Sequence, residues 1–302
     1  MNPIKLIVDS TCAMPETLIE KYGIAVLPLQ IIIGGKSYRD GVDITIDRLY
    51  EEMRDGVVPK TSQINLADTE ELFRSVCESG GDLIYFSFSS GMSGTYNAAQ
   101  MVAKELSAKF PERKLTVIDS QGGGAASGLI ALQAARKIAL GERYENVVSL
   151  IEEMISQMQH MFTVDTLSWL VKGGRLNRLK GRIGDLLQIK PIFNIVDKNM
   201  NLMKLVRGKK AVLRSMIQTF AEKVKDFPAQ LVAIQHADDL ETAKQFEQMV
   251  HEAEPKAKTL ILPLGGVMAS HIGIGGVGLF FFKKPIPGYD LPNETDIYRL
   301  NF

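Results

Sequence analysis

Within the first half of the chain one pattern occurs three times: a short, β-branched apolar run, a loop of small polar residues, then a helix-like stretch. Residues 4–8 end in Asp9-Ser10-Thr11. Residues 83–88 run into Ser89-Ser90-Gly91-Met92-Ser93-Gly94-Thr95, and residues 114–118 into Asp119-Ser120 and three glycines. A strand buried on both faces reads as an unbroken apolar run, and strands alternating with helices build parallel βαβ units. The expected fold is therefore α/β, opening with a Rossmann-like parallel sheet that carries helices on both faces. Further along, strand runs at 231–235, 259–263 and 279–282 flank a helical stretch at 240–251, which predicts a second α/β domain. Helix-spaced apolar residues also mark 47–54, 96–106, 129–140 and 145–158, and 24–33 reads as one strand stopped by Gly34-Gly35. From 163 to 190 the texture changes: glycines mix with Lys172, Arg175, Arg178, Lys180, Arg182 and Lys190, before alternation returns at 192–206. The division is expected there, giving domains 1–162 and 163–302.

A length of 302 residues fits one large domain or two smaller ones, against a prior of ~150 residues per domain. With zero formal net charge and 45% apolar residues, the chain reads as an ordered globular protein, not a basic nucleic-acid binder. Its two cysteines, Cys12 and Cys77, have no metal-ligand or CxxC spacing, so no disulfide framework and no metal site are expected. The run Leu6-Ile7-Val8 is too short for a secretory leader. Residues 24–33, broken by Pro28 and Gln30, fall well short of the ~20 apolar residues that cross a bilayer. A cytoplasmic protein without stable membrane insertion is expected.

Loops at the ends of parallel strands meet helix N-termini, where unpaired N–H groups favour anions. The 89–95 loop can aim Ser93 and its neighbours' amides at a carboxylate or phosphate, with Gly91 and Gly94 permitting close approach; the serines could equally cap the helix that follows. Lys60-Thr61-Ser62-Gln63 is a second hydroxyl-rich turn with the same two readings. His271 is the one histidine in a glycine-rich segment. That segment, from Gly273 to Gly278, spells GxGxxG, but a dinucleotide site needs a strand before it and a helix after, whereas the apolar run Leu279-Phe280-Phe281-Phe282 follows. No nucleotide cofactor is expected. Ser93, Asp238 or Asp239, and His271 stand in the chain order of an α/β-hydrolase triad, yet Thr95 occupies the position where the nucleophile elbow needs glycine. An acyl ester hydrolase using Ser93 and His271 is the alternative reading. The basic run 172–190 lacks interleaved aromatics for base stacking, and Arg175 and Arg207 suit instead a protein partner or its phosphate.

Val8-Asp9-Ser10-Thr11, Tyr38-Arg39-Asp40-Gly41-Val42-Asp43, Lys60-Thr61-Ser62-Gln63, the 89–96 loop, Val117-Ile118-Asp119-Ser120, Asp165-Thr166-Leu167, Lys172-Gly173-Gly174-Arg175-Leu176 and Ile189-Lys190-Pro191-Ile192, in that order, resemble the DegV family across nearly the whole chain. That family resembles the fatty-acid-binding subunit of bacterial fatty acid kinase, which presents its acid to a separate ATP-using kinase subunit. The resemblance implies two α/β domains and a long-chain fatty acid such as palmitate, stearate or oleate in a buried tunnel. It implies a carboxylate held by Thr61 and Ser93, with Ser62, Gly91 and Gly94 beside them and His271 from the family's C-terminal histidine segment. Arg175 and Arg207 match kinase-docking arginines, and the chain is implied to be a binding subunit without catalysis of its own. A protonated His271 within reach would strengthen the hold on a carboxylate. The chain departs from the family at Cys12, at residues 121–126, and at Ile272 and Ile274, so contacts from those segments are expected to differ.

Overall fold

A computed structural model describes residues 2–176 and 189–292. Four parallel strands form the first sheet in the order β2-β1-β6-β7: β1 Ile4–Asp9, β2 Ala25–Leu27, β6 Asp82–Ser87 and β7 Leu115–Asp119. Alternate side chains leave opposite faces of a strand. Leu6, Val8, Ile84 and Phe86 accordingly pack under α5 (Ala125–Ala139) and α6 (Tyr144–Gln157), whereas Ile7, Leu83 and Tyr85 pack under α3 (Leu66–Glu78) and α4 (Thr95–Lys109). Helices therefore cover both faces, as the continuous apolar runs imply.

The expected single strand at 24–33 is two strands in two sheets. Pro28 lacks the N–H a ladder needs, so β2 ends at Leu27 and the chain turns into β3 (Gln30–Ile33). β3 is the centre of a small antiparallel sheet between β4 (Lys36–Arg39) and β5 (Lys60–Ser62). The segment expected as a hydroxyl-rich turn is thus strand β5, with Thr61 opposite Ile31. Short helices α1 (Glu16–Lys21) and α2 (Ile46–Arg54) complete this half.

The second sheet has six strands in the order β10-β9-β8-β13-β11-β12: β8 Met158–Thr163, β9 Ile189–Val196, β10 Asn199–Arg207, β11 Leu231–His236, β12 Lys258–Pro263 and β13 Val277–Phe282. Its pairings are antiparallel except β11 with β12. Strand β8 spans the expected division at 162/163 and belongs to this sheet. One face is covered by α8 (Lys209–Lys223) and α9 (Leu240–Ala253). The other meets α5, whose neighbours include Leu231, Ala233, Phe280 and Phe282. Helices α7 (Ser168–Lys172) and α10 (Gly266–Ile272) sit beside each other near the sheet's end. The core is layered, helices on sheet on helices on sheet on helices, with α5 in the middle.

A helix between two sheets has no solvent face, and every residue from 125 to 135 is buried. Such a helix needs small side chains to let both sheets approach, and Ala-Ala-Ser-Gly opens it. At Gly128 an added Cβ would lie 1.9 Å from the carbonyl oxygen of Ala13, a backbone atom that is itself pinned to the helix start by Ala13 N–H donating to the Gly124 carbonyl (3.2 Å). Helix propensity alone makes Gly128→Ala stabilising by about 1 kcal/mol. The clash reverses the sign: urea unfolding should give a loss of about 1–3 kcal/mol, and a gain would show that the loop yields freely.

Candidate functional site

Two buried carboxylates fix the loops. Asp9, at the end of β1, accepts from Thr11 N–H (3.0 Å) and the Thr11 hydroxyl through one oxygen, and from Phe88 N–H (2.7 Å) and the Tyr85 hydroxyl (3.2 Å) through the other. It thereby ties the end of β1 to the end of β6, where the serine loop begins. Burial pushes its pKa up, although all four hydrogen bonds oppose the shift. Asp40 accepts from the Ser10 hydroxyl (2.8 Å), Gly266 N–H (3.1 Å) and Val267 N–H (3.3 Å), which fastens the start of α10 to the first half of the chain. Neither carboxylate is marked as a positioning group by local pattern, because their partners lie up to 227 residues away. Only their place in the Asp9-Ser10-Thr11 and Arg39-Asp40-Gly41 motifs hints at it.

Helix α10 carries His271 in its last turn; Gly273, at φ 77°, ends the helix with a backbone conformation that favours glycine. His271 Nε2 lies 2.8 Å from Thr61 Oγ1 across 210 residues of sequence. The other ring nitrogen is buried and has no partner among the described residues. Burial first, then the positive charge of Arg175, lowers the His271 pKa to about 3. Burial thus favours the neutral ring over the protonated one considered from sequence.

Ser93 Oγ lies 2.9 Å from Thr95 Oγ1 and accepts from Thr95 N–H (3.2 Å), so the loop hydroxyl does steady the start of α4. Gly94 follows; a Cβ there would sit 2.3 Å from Gln63 Oε1, so the serine loop and the β5 segment meet because this residue has no side chain. Gly91 lies beneath Lys198, at the turn between β9 and β10, whose carbonyl accepts from the Ser89 hydroxyl (2.7 Å) and whose ammonium pairs with Asp119 (3.0 Å).

These segments surround a cavity of about 380 Å³, within the ~300–1,000 Å³ range of small-molecule sites. Thr61, Ser62, Ser93, Gly94 and His271 all lie on its wall; Arg175 does too, although its side chain is exposed and donates to the Gly173 carbonyl (2.7 Å). Much of the remaining wall is apolar, including Phe88, Phe162, Leu170, Ile195, Val267 and Phe280. Arg207 closes β10, paired with Ile189, and is exposed. Arg178, Lys180 and Arg182 lie outside the described residues. Lys190 and Asp165, from two separate motifs, form an ion pair (2.6 Å).

The hydrolase triad is not assembled. His271 is engaged with Thr61, Asp238 pairs with Arg54, and Asp239 pairs with Lys209 while accepting from Thr242 N–H. Ser93 without a base is a hydrogen-bonding group and not a nucleophile. The GxGxxG run follows α10 and leads into β13, the reverse of the dinucleotide arrangement. Among the described residues no cluster of His, Cys, Asp and Glu could hold a metal ion, and no helix is long and apolar enough to cross a membrane.

The fold and site define an α/β architecture of two main sheets with α5 between them and a largely apolar cavity whose wall includes hydroxyls and an imidazole. The chain belongs to the DegV family, described as uncharacterised proteins, whose model matches residues 3–284. A DegV domain-containing protein of Clostridium perfringens is 34% identical over 287 residues, covering 94% of this chain and all of the relative. Another, from Caldanaerobacter subterraneus, is 33% identical over 284 residues with the same coverage. Among solved structures, a fatty-acid-binding DegV family protein of Thermus thermophilus superposes with a TM-score of 0.86 at 27% identity, covering 93% of this chain and 99% of the other. A stearic-acid-binding protein of Eubacterium ventriosum gives 0.86 at 27%, covering 94% and 99%. The B3 protein of Streptococcus pneumoniae fatty acid kinase, solved with linoleic acid, shares the fold at 0.82 and 22% identity, covering 94% and 100%.

An exposed histidine changes charge near pH 6.5. With its pKa depressed to about 3, His271 stays neutral above that value, so its ring resonances should not move between roughly pH 5 and 8 in an NMR titration. A transition near neutrality would place the ring in water.

Proposed function

We propose that this chain binds one long-chain fatty acid in the cavity and presents it to a separate ATP-dependent fatty acid kinase subunit, with no catalytic residue of its own. The observation that carries the reading is the convergence of Thr61, Ser93 and His271, from three distant segments, on one wall of an otherwise largely apolar cavity. About 15 methylenes at ~0.8 kcal/mol each supply roughly 12 kcal/mol of gross transfer energy, from which the cost of association is subtracted. That suffices to retain palmitate, stearate or oleate. The fatty acid binding of the Thermus neighbour and the stearic acid binding of the Eubacterium neighbour support this ligand class.

The polar part of the wall then fixes the carboxylate. Gly94, the N-cap of the 15-residue helix α4, has no side chain; the Thr95 N–H is held by Ser93 Oγ (3.2 Å), and a carboxylate beside Ser93 and Gly94 would meet the remaining first-turn amides and the positive end of the helix dipole. His271 acts through Thr61. Because its buried Nδ1 has no partner among the described residues, the cheaper neutral tautomer leaves that nitrogen unprotonated and places the proton on Nε2. Nε2–H donates to Thr61 Oγ1, and the Thr61 hydroxyl proton is free to be donated to the ligand. The resemblance to the kinase subunit, and the name of the pneumococcal neighbour, support the second half of the reading. There the aligned carboxylate oxygen forms a bond to the terminal phosphorus of ATP while the bond to ADP breaks. Arg175 and Arg207 are the guanidinium groups offered to the kinase, in the cytoplasm.

Mass spectrometry of lipid released from the denatured, purified chain should find one C16 to C18 acid per chain; lipid-free protein that takes up no added acid would sink the reading. Thr61→Ala and Ser93→Ala should each weaken binding about tenfold to a hundredfold, and acyl phosphate formation with a kinase subunit should fall further because the carboxylate is misaimed. Thr61→Ser should restore most of the loss, since it returns the hydroxyl.

A further inference from the structure

The strand registers show where the cavity stops. Residues opposite each other in neighbouring strands share a face of the sheet, so they form rows across it. Phe162, Gly278 and Gln235 make one row, and all three line the cavity. The next row on that face is His160, Phe280 and Ala233. His160 and Phe280 still belong to the wall, whereas Ala233 is packed into the core under α5. One row further, Met158 and Phe282 stand opposite each other, and both lie in that core. The cavity floor therefore ends at the row that holds Phe280.

The Thr61–His271 pair lies at the other end. Helix α7 follows the end of β8 and α10 precedes the start of β13, so both helices lie beyond the pair Thr163 and Val277. They meet there: a Cβ on Gly173, just past α7, would lie 2.2 Å from His271 Nδ1.

At the Phe280 end the chain leading into α5 comes down onto the sheet. On the β8 side a Cβ on Gly122 would lie 2.2 Å from His160 Nε2; on the β11 side one on Gly124 would lie 2.5 Å from Gln235 Oε1, which accepts from Ala125 N–H (3.0 Å). Between these two touchdown points stands Phe280. Its ring meets the His160 imidazole edge-on, with centres 5.9 Å apart and planes at 87°. The ring leans back over Gly278, where a Cβ would lie 2.7 Å from Phe280 Cζ, so the glycine leaves it that space. Lying over a residue of the cavity floor, the ring takes up cavity volume, and an alkyl chain advancing from Thr61 along the floor meets it.

We propose that Phe280 is the end wall of the acyl site and sets the longest fatty acid this chain accepts. The inference rests on the fatty-acid reading and adds a chain-length ceiling to it. Up to the ceiling each added methylene raises affinity roughly fourfold. Beyond it the chain must drive the ring into close-packed core or pull the carboxylate away from Thr61, and affinity falls.

The test measures affinities of the delipidated full chain for the even-numbered saturated acids from dodecanoic to docosanoic. In the native chain affinity should rise to hexadecanoic or octadecanoic acid and then drop by about tenfold or more towards docosanoic acid. In Phe280→Ala the deleted ring leaves room for about two to four further carbons, so the maximum should move to a longer acid, and Phe280→Leu should move it less. Val267→Ala, on the wall at the start of α10, should weaken every acid by a similar factor and leave the maximum in place. Where Phe280→Ala binds no acid at all, Phe280→Leu alone decides. Affinity that keeps rising to docosanoic acid in the native chain, a maximum unmoved in the Phe280 variants, or one that moves equally in Val267→Ala overturns the end wall while the fatty-acid reading stands. Failure of the native chain to bind any of these acids overturns both.

Discussion

The packing of α5 between two sheets sets the geometry of everything else. A helix buried all round fixes the separation of the sheets it touches, and here that separation is imposed by a run of alanines with Ser127 and Gly128 among them. Along its length the interlayer space is filled. Before its N-terminus the chain runs through Gly122, Gly123 and Gly124, which fill almost nothing, and there Phe88 from one sheet's edge faces Gln235 and Phe280 from the other across the cavity. The cavity is the continuation of the helix's slot without the helix. An alkyl chain is narrower than a helix, so a space of this kind accepts one without moving either sheet.

The first sheet is legible because each parallel strand is a contiguous apolar run with its helix attached, and local pattern carries both facts. The second sheet is harder to read. β9 and β10 form a hairpin whose alternation is visible, but β8 and β13 pair across more than a hundred residues, as Val277 opposite Thr163 illustrates. The start of α5 escapes the same reading for a different reason: residues 125–128 are small, uncharged and buried on every side, so they show no amphipathic period. Strand β5 looks like a turn because three residues of Lys, Thr and Ser have no apolar period at all; only Ile31 across the ladder makes them a strand.

The site divides along the same line. Ser93 and Gly94 are readable because a strand–loop–helix junction is a local feature with a known chemical use. Thr61 and His271 join them only through family resemblance, and their mutual bond spans nearly the whole chain. His160 reads from sequence as a solvated or packed histidine, and it is packed, with part of it on the cavity wall. Residues 122–124 lie against His160, Phe88 and Gln235, and Ile272 lies on the cavity wall, so two of the segments expected to differ from the family adjoin the chamber.

Buried polar groups on an apolar wall cost stability in the empty protein. His271 Nδ1, Thr163 Oγ1 and His160 Nε2 have no hydrogen-bond partner among the described residues and belong to residues that line the cavity, while Tyr50 Oη, Arg113 Nε and Asn194 Oδ1 are unpartnered elsewhere. Each such atom costs about 1–3 kcal/mol when left unpaired, against a total stability of only about 5–15 kcal/mol for a typical domain. Where a ligand atom reaches such a group and completes the pair, binding recovers that cost, and stability and affinity are linked through the same atoms.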